Sequence, residues 1–425
     1  MTTVEFPSGR AVGSRSGGRS KGLVHRPDEL DFRLLILVTL GLVAFGLVMV
    51  FSATSAPAAI GGGDPGYYLR RQSIYALLGF SLMIAAWRAD MRLVRRLAPA
   101  LLVGSLALLV AVLVLGDPVN GARRWLTFGP AVLQPSELAK LAVALWAATY
   151  LARRRPPQRL RDLIRPLGLL VGGICALLML EPDLGTTIAL VVMVGGMLLV
   201  GGTPLRTLAL AGSLTVALGL LAIWIEPYRR ARILSFVDPW ADAQNTGFQT
   251  VQAMIGLGSG GFFGVGLGEG VQKIFYLPEA HTDMIFAIIG EELGLVGATG
   301  VIVAYAAFAY AGFRIALRSS DPFCKRLAAG LTVLICGQAA INLAAVLGLA
   351  PMTGIPLPFV SYGGSSLVVA LAAVGLLLNI AGNGGRATTS VPDRRRGDGG
   401  PRPAVPRRRR RPPRTGRPGH LRRLA

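Results

Sequence analysis

Long apolar runs constrain this chain more than any other feature of its sequence. Of its 425 residues, 52% are hydrophobic and only 16% are charged, a balance that few soluble domains have. Runs of about 18 or more apolar residues can cross a bilayer as helices, which satisfy their own backbone polar groups in lipid. The sequence therefore predicts an all-α polytopic membrane protein with about ten transmembrane helices. The runs lie at 34–52, 72–87, 97–115, 137–152, 166–180, 185–202, 207–225, 284–313, 327–350 and 365–382.

The two ends of the chain differ in composition from the apolar centre. We divide the chain into a basic N-terminal segment at 1–29, a transmembrane domain at 30–383 and an Arg/Pro-rich tail at 384–425. The tail contributes 14 arginines against two aspartates to a formal net charge of +22. Because neither end can bury a core, we predict that both are disordered and cytoplasmic. The tail can contact anionic lipid or an acidic partner, whereas nucleic-acid binding is disfavoured because no folded reader accompanies it.

Basic residues also indicate orientation. With a cytoplasmic N-terminus, most arginines between spans fall on the cytoplasmic side, as the positive-inside rule expects. Small residues at 52–56 after the first apolar run resemble the end of a signal peptide, but the length of the run favours a retained span. Some basic residues fall outside, where they are either simply solvated or clustered to bind an anionic ligand such as a pyrophosphate. They are Arg70, Arg71, Arg123, Arg124, Arg229, Arg230, Arg232 and Lys273.

The longest loop, 226–282, is extracellular and lies between the seventh and eighth predicted spans. Its aromatic and apolar content predicts that it folds back onto the bundle, partly as short amphipathic or re-entrant helices. Its glycines formally match Gly-x-Gly-x-x-Gly, but no strand or βαβ unit accompanies them, which argues against a nucleotide site. No internal repeat supports an inverted-repeat transporter. Isolated Cys175, Cys324 and Cys336 suggest neither a disulfide framework nor a zinc site.

The segment 273–294 places ionisable residues directly before a long apolar run. Such groups are costly at a membrane boundary and usually serve a function. Asp283 is the candidate general base, because a helix N-terminus favours its ionised form while partial burial raises its basicity. The alternative is an N-cap that only starts the helix. Glu279 and His281 can orient Asp283, bind substrate or be plain surface residues, and Lys273 adds a cation to the same segment.

Three other places in the sequence put ionisable or irregular sequence next to the membrane. Glu137 and Lys140 share one predicted helix face, so they can pair, either at a functional site or as a structural pair. Glu291 and Glu292 lie two turns into the eighth span and need partners, which a polar cavity shared with Lys140 would supply. The Pro- and Gly-interrupted segment 351–366 predicts non-helical backbone that lines a cavity.

Four motifs occur in order along the chain. They are Arg-Arg-Trp-Leu…Gln-Pro-Ser-Glu-Leu-Ala-Lys at 123–140, Glu-Pro-Asp-Leu-Gly-Thr at 181–186, Lys…Tyr-Leu-Pro-Glu-Ala-His-Thr-Asp at 273–283 and Pro-Leu-Pro-Phe-Val-Ser-Tyr-Gly-Gly-Ser-Ser at 356–366. Together they resemble the SEDS family, which comprises the FtsW, RodA and SpoVE proteins of bacteria. The resemblance covers about 30–383 and is greatest to the division-type members. Met284 and Met254 are apolar departures that leave the catalytic positions untouched.

This resemblance implies a peptidoglycan glycosyltransferase, an inverting hexosyltransferase that polymerises lipid II at the outer membrane face and releases undecaprenyl pyrophosphate. It implies that Asp283 is the catalytic base, which deprotonates the 4-hydroxyl of the acceptor GlcNAc. The cationic residues would hold the pyrophosphate, Glu137 would set Lys140, and the remaining residues would line the groove. The implied substrate-binding residues are Arg123, Arg124, Trp125, Glu137, Lys140, Lys273, Glu279, His281 and Ser361.

The same resemblance implies a setting for the enzyme. It is expected in the cytoplasmic membrane at the division septum, with a class B penicillin-binding transpeptidase and other division proteins as partners. A divalent cation, Mg²⁺ or Mn²⁺, can accompany the pyrophosphate, although the sequence shows no dedicated set of metal ligands. The alternatives are an elongation- or sporulation-type polymerase of the same family, a lipid II flippase, and a scaffold for wall enzymes.

Overall fold

The computed structural model describes residues 27–119, 122–129, 131–274 and 276–383. The predicted tail at 384–425 and nearly all of the predicted N-terminal segment at 1–29 lie outside the described residues. A short π-helical turn, Ile164–Gly168, joins the fifth and sixth helices. The helices are α1 (Pro27–Ile60), α2 (Tyr67–Arg88), α3 (Met91–Leu115), α4 (Pro135–Ala152), α5 (Leu160–Leu163), α6 (Leu169–Leu180), α7 (Leu184–Val200), α8 (Leu205–Ile225), α9 (Pro227–Val237), α10 (Phe248–Ser259), α11 (Ile285–Arg318), α12 (Pro322–Val346) and α13 (Gly364–Asn383).

Every predicted span coincides with a helix, and α5 and α6 together form one of them. Within the described part, seven helical stretches are long and apolar enough to cross a membrane. The other three predicted spans are α2, α4 and α7. Charged residues in α2 and α4 lower their mean hydropathy, and α7 is apolar but only 17 residues long. The chain is a multi-pass α-helical membrane protein.

The helices pack closely where small residues face a neighbour. α12 lies at the centre and contacts α4, α7, α11 and α13, while α2 packs along α13. A Cβ atom added at Gly79 of α2 would lie 2.6 Å from Leu371, and one at Gly375 of α13 would lie 2.3 Å from the carbonyl oxygen of Met83. A side chain at either glycine would therefore clash with the neighbouring helix. The close approach of α2 and α13 depends on glycine at both positions, and such approach is a source of packing energy between membrane helices.

The long loop between α8 and α11 folds back onto the bundle, as the sequence predicts. It forms α9 and α10, and α10 packs against α11. α11 is broken at Gly294, whose φ is +63°. The loop repairs the break, because the N–H of Val265 donates to the carbonyl of Glu291 at 3.0 Å and the N–H of Leu295 donates to Gly261 at 2.9 Å. Backbone groups freed within a membrane helix need such partners.

One short antiparallel sheet interrupts the helices in the described part. Strands β1 (Asp117–Val119), β2 (Ala122–Phe128) and β3 (Ala131–Leu133) pair in the order β1-β2-β3 between α3 and α4. Asp117 lies opposite Trp125, and Leu126 lies opposite Leu133. Successive side chains of a strand point to opposite faces of the sheet. Arg123 and Arg124 of β2 therefore point in opposite directions, although the sequence groups them in one cationic motif.

Candidate active site

Asp283 lies in the turn immediately before α11, at the predicted outer face of the bundle. Its backbone carbonyl accepts a hydrogen bond from the side-chain amide of Asn342 at 2.7 Å. The same amide donates to the carbonyl of Ile355 at 2.8 Å. Asn342 belongs to the central helix α12 and is buried. One rigid side chain therefore holds two irregular segments next to each other.

The environment of the Asp283 carboxyl group makes it a stronger base than an exposed aspartate. Burial raises its pKa to about 6, and the negative charge of Glu279 acts in the same direction. The hydroxyl of Thr282, which donates to Oδ1 at 3.2 Å, and the charge of Arg232 lower the pKa and so limit the shift. The group is therefore mostly ionised at neutral pH yet able to accept a proton, as a general base requires.

Arg232 is a cation that lies close to Asp283 and was not among the predicted site residues. Arg232 of α9 is half-buried, and its Nη1 donates to the carbonyl of Met352 at 3.2 Å. A Cβ atom added at Gly354 would lie 3.9 Å from Asp283 Oδ2, so the carboxylate faces the segment to which Arg232 is bound. The sequence signal for Arg232 was its basic charge on the outer side, where basic residues are less common.

Glu279 and His281 are brought close to Asp283 by the same turn. The same Thr282 hydroxyl oxygen lies 3.0 Å from the carbonyl oxygen of Glu279 and 3.2 Å from its carboxylate Oε2, so one hydroxyl lies between the two acids. The imidazole of His281 lies between aromatic rings, with ring centroids 4.8 Å from Tyr68 and 5.5 Å from Tyr362. Burial lowers the pKa of His281 against the opposing effect of Glu279, which favours the neutral imidazole.

Glu137 and Lys140 form an ion pair inside α4. The distance between Lys140 Nζ and Glu137 Oε1 is 2.8 Å, and both side chains are buried. Lys140 also donates to Gln338 Oε1 at 2.8 Å, and the amide of Gln338 donates to the carbonyl of Pro356 at 3.2 Å. The i, i+3 spacing predicted the pair, whereas the contact to α12 and to the loop beyond it depends on the fold.

The segment 351–366 connects these groups. In addition to the contacts of Met352, Ile355 and Pro356, it is anchored to α2, where the buried amide of Gln72 donates to the carbonyl of Ser361 at 3.1 Å. It is also anchored to β3, because Ser365 Oγ donates to the carbonyl of Val132 at 2.9 Å. The predicted non-helical backbone is thus held by contacts from helices α2, α9 and α12 and from the sheet.

Ser361 serves this anchoring directly. Its side chain is buried, and its Oγ accepts a hydrogen bond from the N–H of Leu357 at 2.7 Å. Its own N–H donates to the carbonyl of Leu357 at 3.0 Å. The Ser361 hydroxyl therefore closes a turn of the segment. Its contribution to the predicted groove is the shape of that turn.

Lys273 lies in a different cluster from Asp283. Its Nζ is 2.6 Å from Glu292 Oε1 and 3.3 Å from Ser52 Oγ of α1, and the side chain is buried. The expectation that Glu291 and Glu292 share a cavity with Lys140 is wrong. Glu292 pairs with Lys273, and Glu291 accepts the N–H of Val271 at 2.7 Å. Val271 and Lys273 belong to the glycine-rich stretch 256–273 before α11, which we call the Gly-rich loop, so these contacts fasten that loop to α11.

The β-hairpin positions the arginine motif. Arg124 is half-buried, and its guanidinium donates to the carbonyl of Glu181 at 2.9 Å and to that of Pro182. Arg123 is exposed on the opposite side, and its hydrogen bonds to the described residues are long contacts of 3.4 and 3.5 Å to carbonyls at the end of α3. Trp125 is half-buried beside them. Arg123 therefore keeps most of its donors available to an anion, whereas Arg124 joins the hairpin to the turn before α7.

Glu181, in that turn, is a buried acid that sequence reasoning missed as a site residue. Both of its carboxyl oxygens are buried and have no hydrogen-bond partner among residues 27–119, 122–129, 131–274 and 276–383. Burial raises its pKa to about 8, the charge of Asp183 adds to the shift, and the charge of Arg124 opposes it. The group is mainly protonated at neutral pH. Its sequence signal was an acidic residue at the end of an apolar run, the same signal that identified Asp283.

The acidic residues do not form a cage for a divalent cation. Among the described residues, no three His, Cys, Asp or Glu side chains come together in a way that can hold a metal ion. Glu181 and Asp183 are neighbours, but Asp183 is already committed as the cap of α7, where its Oδ1 accepts the N–H of Thr186 at 3.0 Å. The donor set does not fit a protein-held Mg²⁺ or Mn²⁺, and we derive no catalytic step through one.

Comparison with known proteins gives a consistent result. The FtsW/RodA/SpoVE family model, described as "Cell cycle protein", matches residues 32–384. A probable peptidoglycan glycosyltransferase FtsW of Geobacter metallireducens is 41% identical over 351 residues, which are 82% of this chain and 94% of the relative. The protein with the same name from Thioalkalivibrio sulfidiphilus is 43% identical over 388 residues, which are 89% of this chain and 95% of the relative.

Solved structures show the same architecture. A chain from a structure on the coordination of polymerization and crosslinking by a peptidoglycan synthase complex is 32% identical, with a TM-score of 0.71. The alignment covers 83% of this chain and 98% of that one. The rod shape determining protein RodA of Thermus thermophilus is also 32% identical, with a TM-score of 0.61 and coverage of 82% of this chain and 96% of that one.

Proposed function

This chain belongs to the FtsW/RodA/SpoVE family of cell cycle proteins, and we propose from that membership how its residues carry out glycan synthesis. It is a peptidoglycan glycosyltransferase. We propose that its substrate is lipid II, a disaccharide that a pyrophosphate links to an undecaprenyl chain. The lipid anchor keeps the reacting sugar at the membrane surface, which is where the predicted orientation places Asp283.

Asp283 is the proposed catalytic base, and its position is the observation that carries the mechanism. The carboxylate takes the proton of the GlcNAc 4-hydroxyl, and that oxygen forms a bond to the MurNAc anomeric carbon with inversion. The bond from that carbon to the pyrophosphate oxygen breaks, and undecaprenyl pyrophosphate leaves with the bonding electrons. A pKa of about 6 lets Asp283 accept the proton without being protonated at rest.

The leaving pyrophosphate needs positive charge around it. Arg123 is the proposed direct ligand, since it is exposed at the rim of the hairpin and its guanidinium can bind two phosphate oxygens at once. Arg232 contributes positive charge beside Asp283. Lys140 contributes positive charge from within α4, and Gln338 links it to Pro356 of the segment 351–366. Arg124 positions the hairpin, and Lys273 fastens the Gly-rich loop. Trp125, Glu279, His281 and Ser361 shape the groove around the sugars.

The partner and location are also proposals. The similarity to a chain of a peptidoglycan synthase complex that coordinates polymerization and crosslinking supports a transpeptidase partner for this chain, and we propose one of the class B penicillin-binding type. The FtsW names of the curated relatives support a role in septal wall synthesis in the cytoplasmic membrane, together with other division proteins.

The test is glycan synthesis from purified components. The protein, alone and with a transpeptidase partner, is mixed with lipid II, and glycan strands are resolved on a gel. Asp283→Asn is expected to lower polymerisation by about 10² to 10⁴-fold, the usual effect of removing a general base. Asp64→Asn, which removes an exposed carboxylate in the turn after α1, is the matched control and should polymerise normally.

Measurements of lipid II transport and of cell division with the same variant separate the alternatives. A flippase would move lipid II across vesicles without producing strands, and its transport would survive Asp283→Asn. A scaffold would support cell division equally well with Asp283→Asn. Polymerisation by Asp283→Asn at the rate of the parent would show that Asp283 is not the base.

A further inference from the structure

A cavity of about 230 Å³ opens between α3 and α4, away from the groups described above. It lies at the end of α4 opposite to Glu137 and Lys140, which at 1.5 Å per residue is roughly 20 Å along the helix. The predicted orientation places this end at the cytoplasmic leaflet. The cavity is lined by Pro99, Trp146, Thr149, Tyr150, Arg153 and Arg154.

The walls of the cavity are apolar and aromatic. Trp146 and Tyr150 are stacked, with ring centroids 5.2 Å apart and an angle of 8° between the planes. Pro99 lies within α3, where it supplies no backbone N–H and presents only its ring. The Thr149 hydroxyl donates to the carbonyl of Leu145 at 2.8 Å, so its hydrogen is used within α4. The interior therefore suits a hydrocarbon or glycerol group better than water.

The rim of the cavity is cationic. Arg153 and Arg154 are exposed, and the guanidinium carbon of Arg154 lies 4.6 Å from the centroid of the Tyr150 ring. The loop that follows adds Arg155, Arg159 and Arg161 and includes a single acid, Asp162. Apolar walls below a rim of positive charge fit an amphiphile whose head group is negative, and anionic lipids are concentrated in cytoplasmic leaflets.

We propose that this cavity binds one anionic phospholipid of the cytoplasmic leaflet. The phosphate is held by Arg153 and Arg154, and the glycerol and the first part of an acyl chain lie against Pro99, Trp146 and Tyr150. The occupant is a lipid rather than a free anion, because most of the lining surface is apolar and would stay uncovered by a phosphate alone. The site is separate from the proposed polymerase groups, so it stands or falls independently of the catalytic assignment.

Tryptophan quenching tests the proposal in nanodiscs of the full chain. Brominated phosphatidylglycerol or brominated phosphatidylcholine is titrated into unlabelled phosphatidylcholine, and the signal of Trp146 is isolated as the difference between the parent and Trp146→Phe. Phosphatidylglycerol is expected to quench Trp146 at least fivefold more effectively per mole than phosphatidylcholine, since each arginine near a membrane surface favours an anionic lipid by roughly that factor.

Arginine variants locate the charge that selects the lipid. Arg153→Gln combined with Arg154→Gln should lower the preference for phosphatidylglycerol to near one, whereas Arg155→Gln, which removes a neighbouring charge outside the lining, should leave it at the parental value. Unchanged melting temperatures and glycan synthesis show that the variants are folded. Equal quenching by the two lipids, retention of selectivity in the double variant, or an equal loss in Arg155→Gln would each overturn the proposal.

Discussion

The side-chain amide of Asn342 binds the backbone carbonyl of Asp283 at 2.7 Å and that of Ile355 at 2.8 Å. A buried side chain on the central helix thus sets the backbone next to the proposed base. A second amide, on α13, makes a similar bridge far from the proposed site. Asn379 donates to the carbonyls of Ala86 at 3.0 Å and Ala89 at 2.7 Å. The two amides allow stability and catalysis to be separated.

We expect Asn342→Ala to lower both stability and turnover. Leaving buried carbonyls without donors costs about 1–3 kcal/mol in either variant, so both Asn342→Ala and Asn379→Ala should melt at lower temperature. Only Asn342→Ala should reduce kcat, by tenfold or more, with little change in KM for lipid II. Thermal unfolding and initial polymerisation rates measure the two effects. Equal kcat values for the two variants would show that Asn342 has no positioning role.

We expect glycan synthesis to depend on the ionisation of Asp283. The base acts when deprotonated, and burial holds its pKa at about 6, so kcat/KM should rise with pH through about 6 and then level off. The limb below pH 6 should have a slope near one. The residual activity of Asp283→Asn should lack this limb. A midpoint near 4, the ordinary value for an exposed aspartate, would contradict the raised pKa that the surroundings of this half-buried group give it.

We expect Glu181 to lower the stability of the folded protein as pH rises, whereas a salt-bridged acid raises it. Its pKa is raised to about 8 in the folded protein, so folding favours the protonated form. The folded state is then best stabilised below the unfolded pKa of about 4.3, and stability is lost as pH rises towards 8. Glu181→Gln should remove this loss, so it should melt higher than the parent at pH 9 and similarly at pH 4. Glu226→Gln, at an exposed acid, should show no such crossover.

We expect a double substitution to separate the structural and catalytic roles of Lys140. Lys140→Met alone leaves Glu137 buried and unpaired, which costs about 3–5 kcal/mol. Adding Glu137→Gln should restore most of that stability, because no buried charge then remains. If Lys140 contributes charge to the leaving pyrophosphate, the double variant should be folded yet polymerise poorly. Normal polymerisation by the folded double variant would assign the pair a structural role alone.

The sequence predicted best those features that depend on local spacing. Apolar runs identified the helices, the three-residue spacing predicted the pair of Glu137 and Lys140, and the boundary position singled out Asp283. It failed where partners come from distant parts of the chain. Lys273 forms an ion pair with Glu292 and a hydrogen bond to Ser52, and no sequence pattern near Lys273 indicates either contact.

The hairpin between α3 and α4 shows a second limit. Its strands are short, and the longest has only seven residues, so they carry too few residues for a clear alternation of polar and apolar side chains. Arg232 was recognised as an external cation, but its approach to Asp283 depends on α9 folding back over the segment 351–366. Neither relationship can be read from periodicity, because each is decided by tertiary contacts.

The break at Gly294 has a consequence for the height of the reaction above the bilayer. The part of α11 after the break is about 36 Å long, enough to cross a hydrocarbon core of about 30 Å by itself. Leu295 and Val296 at its start are 55% and 59% exposed, as lipid-facing residues are, whereas Phe286, Ile288 and Ile289 before the break are fully buried in protein. The part of α11 before the break therefore extends about 14 Å beyond the lipid-facing part of the helix. It places the Asp283 carboxylate above the acyl chains, at the level expected for the sugar and diphosphate of the proposed substrate.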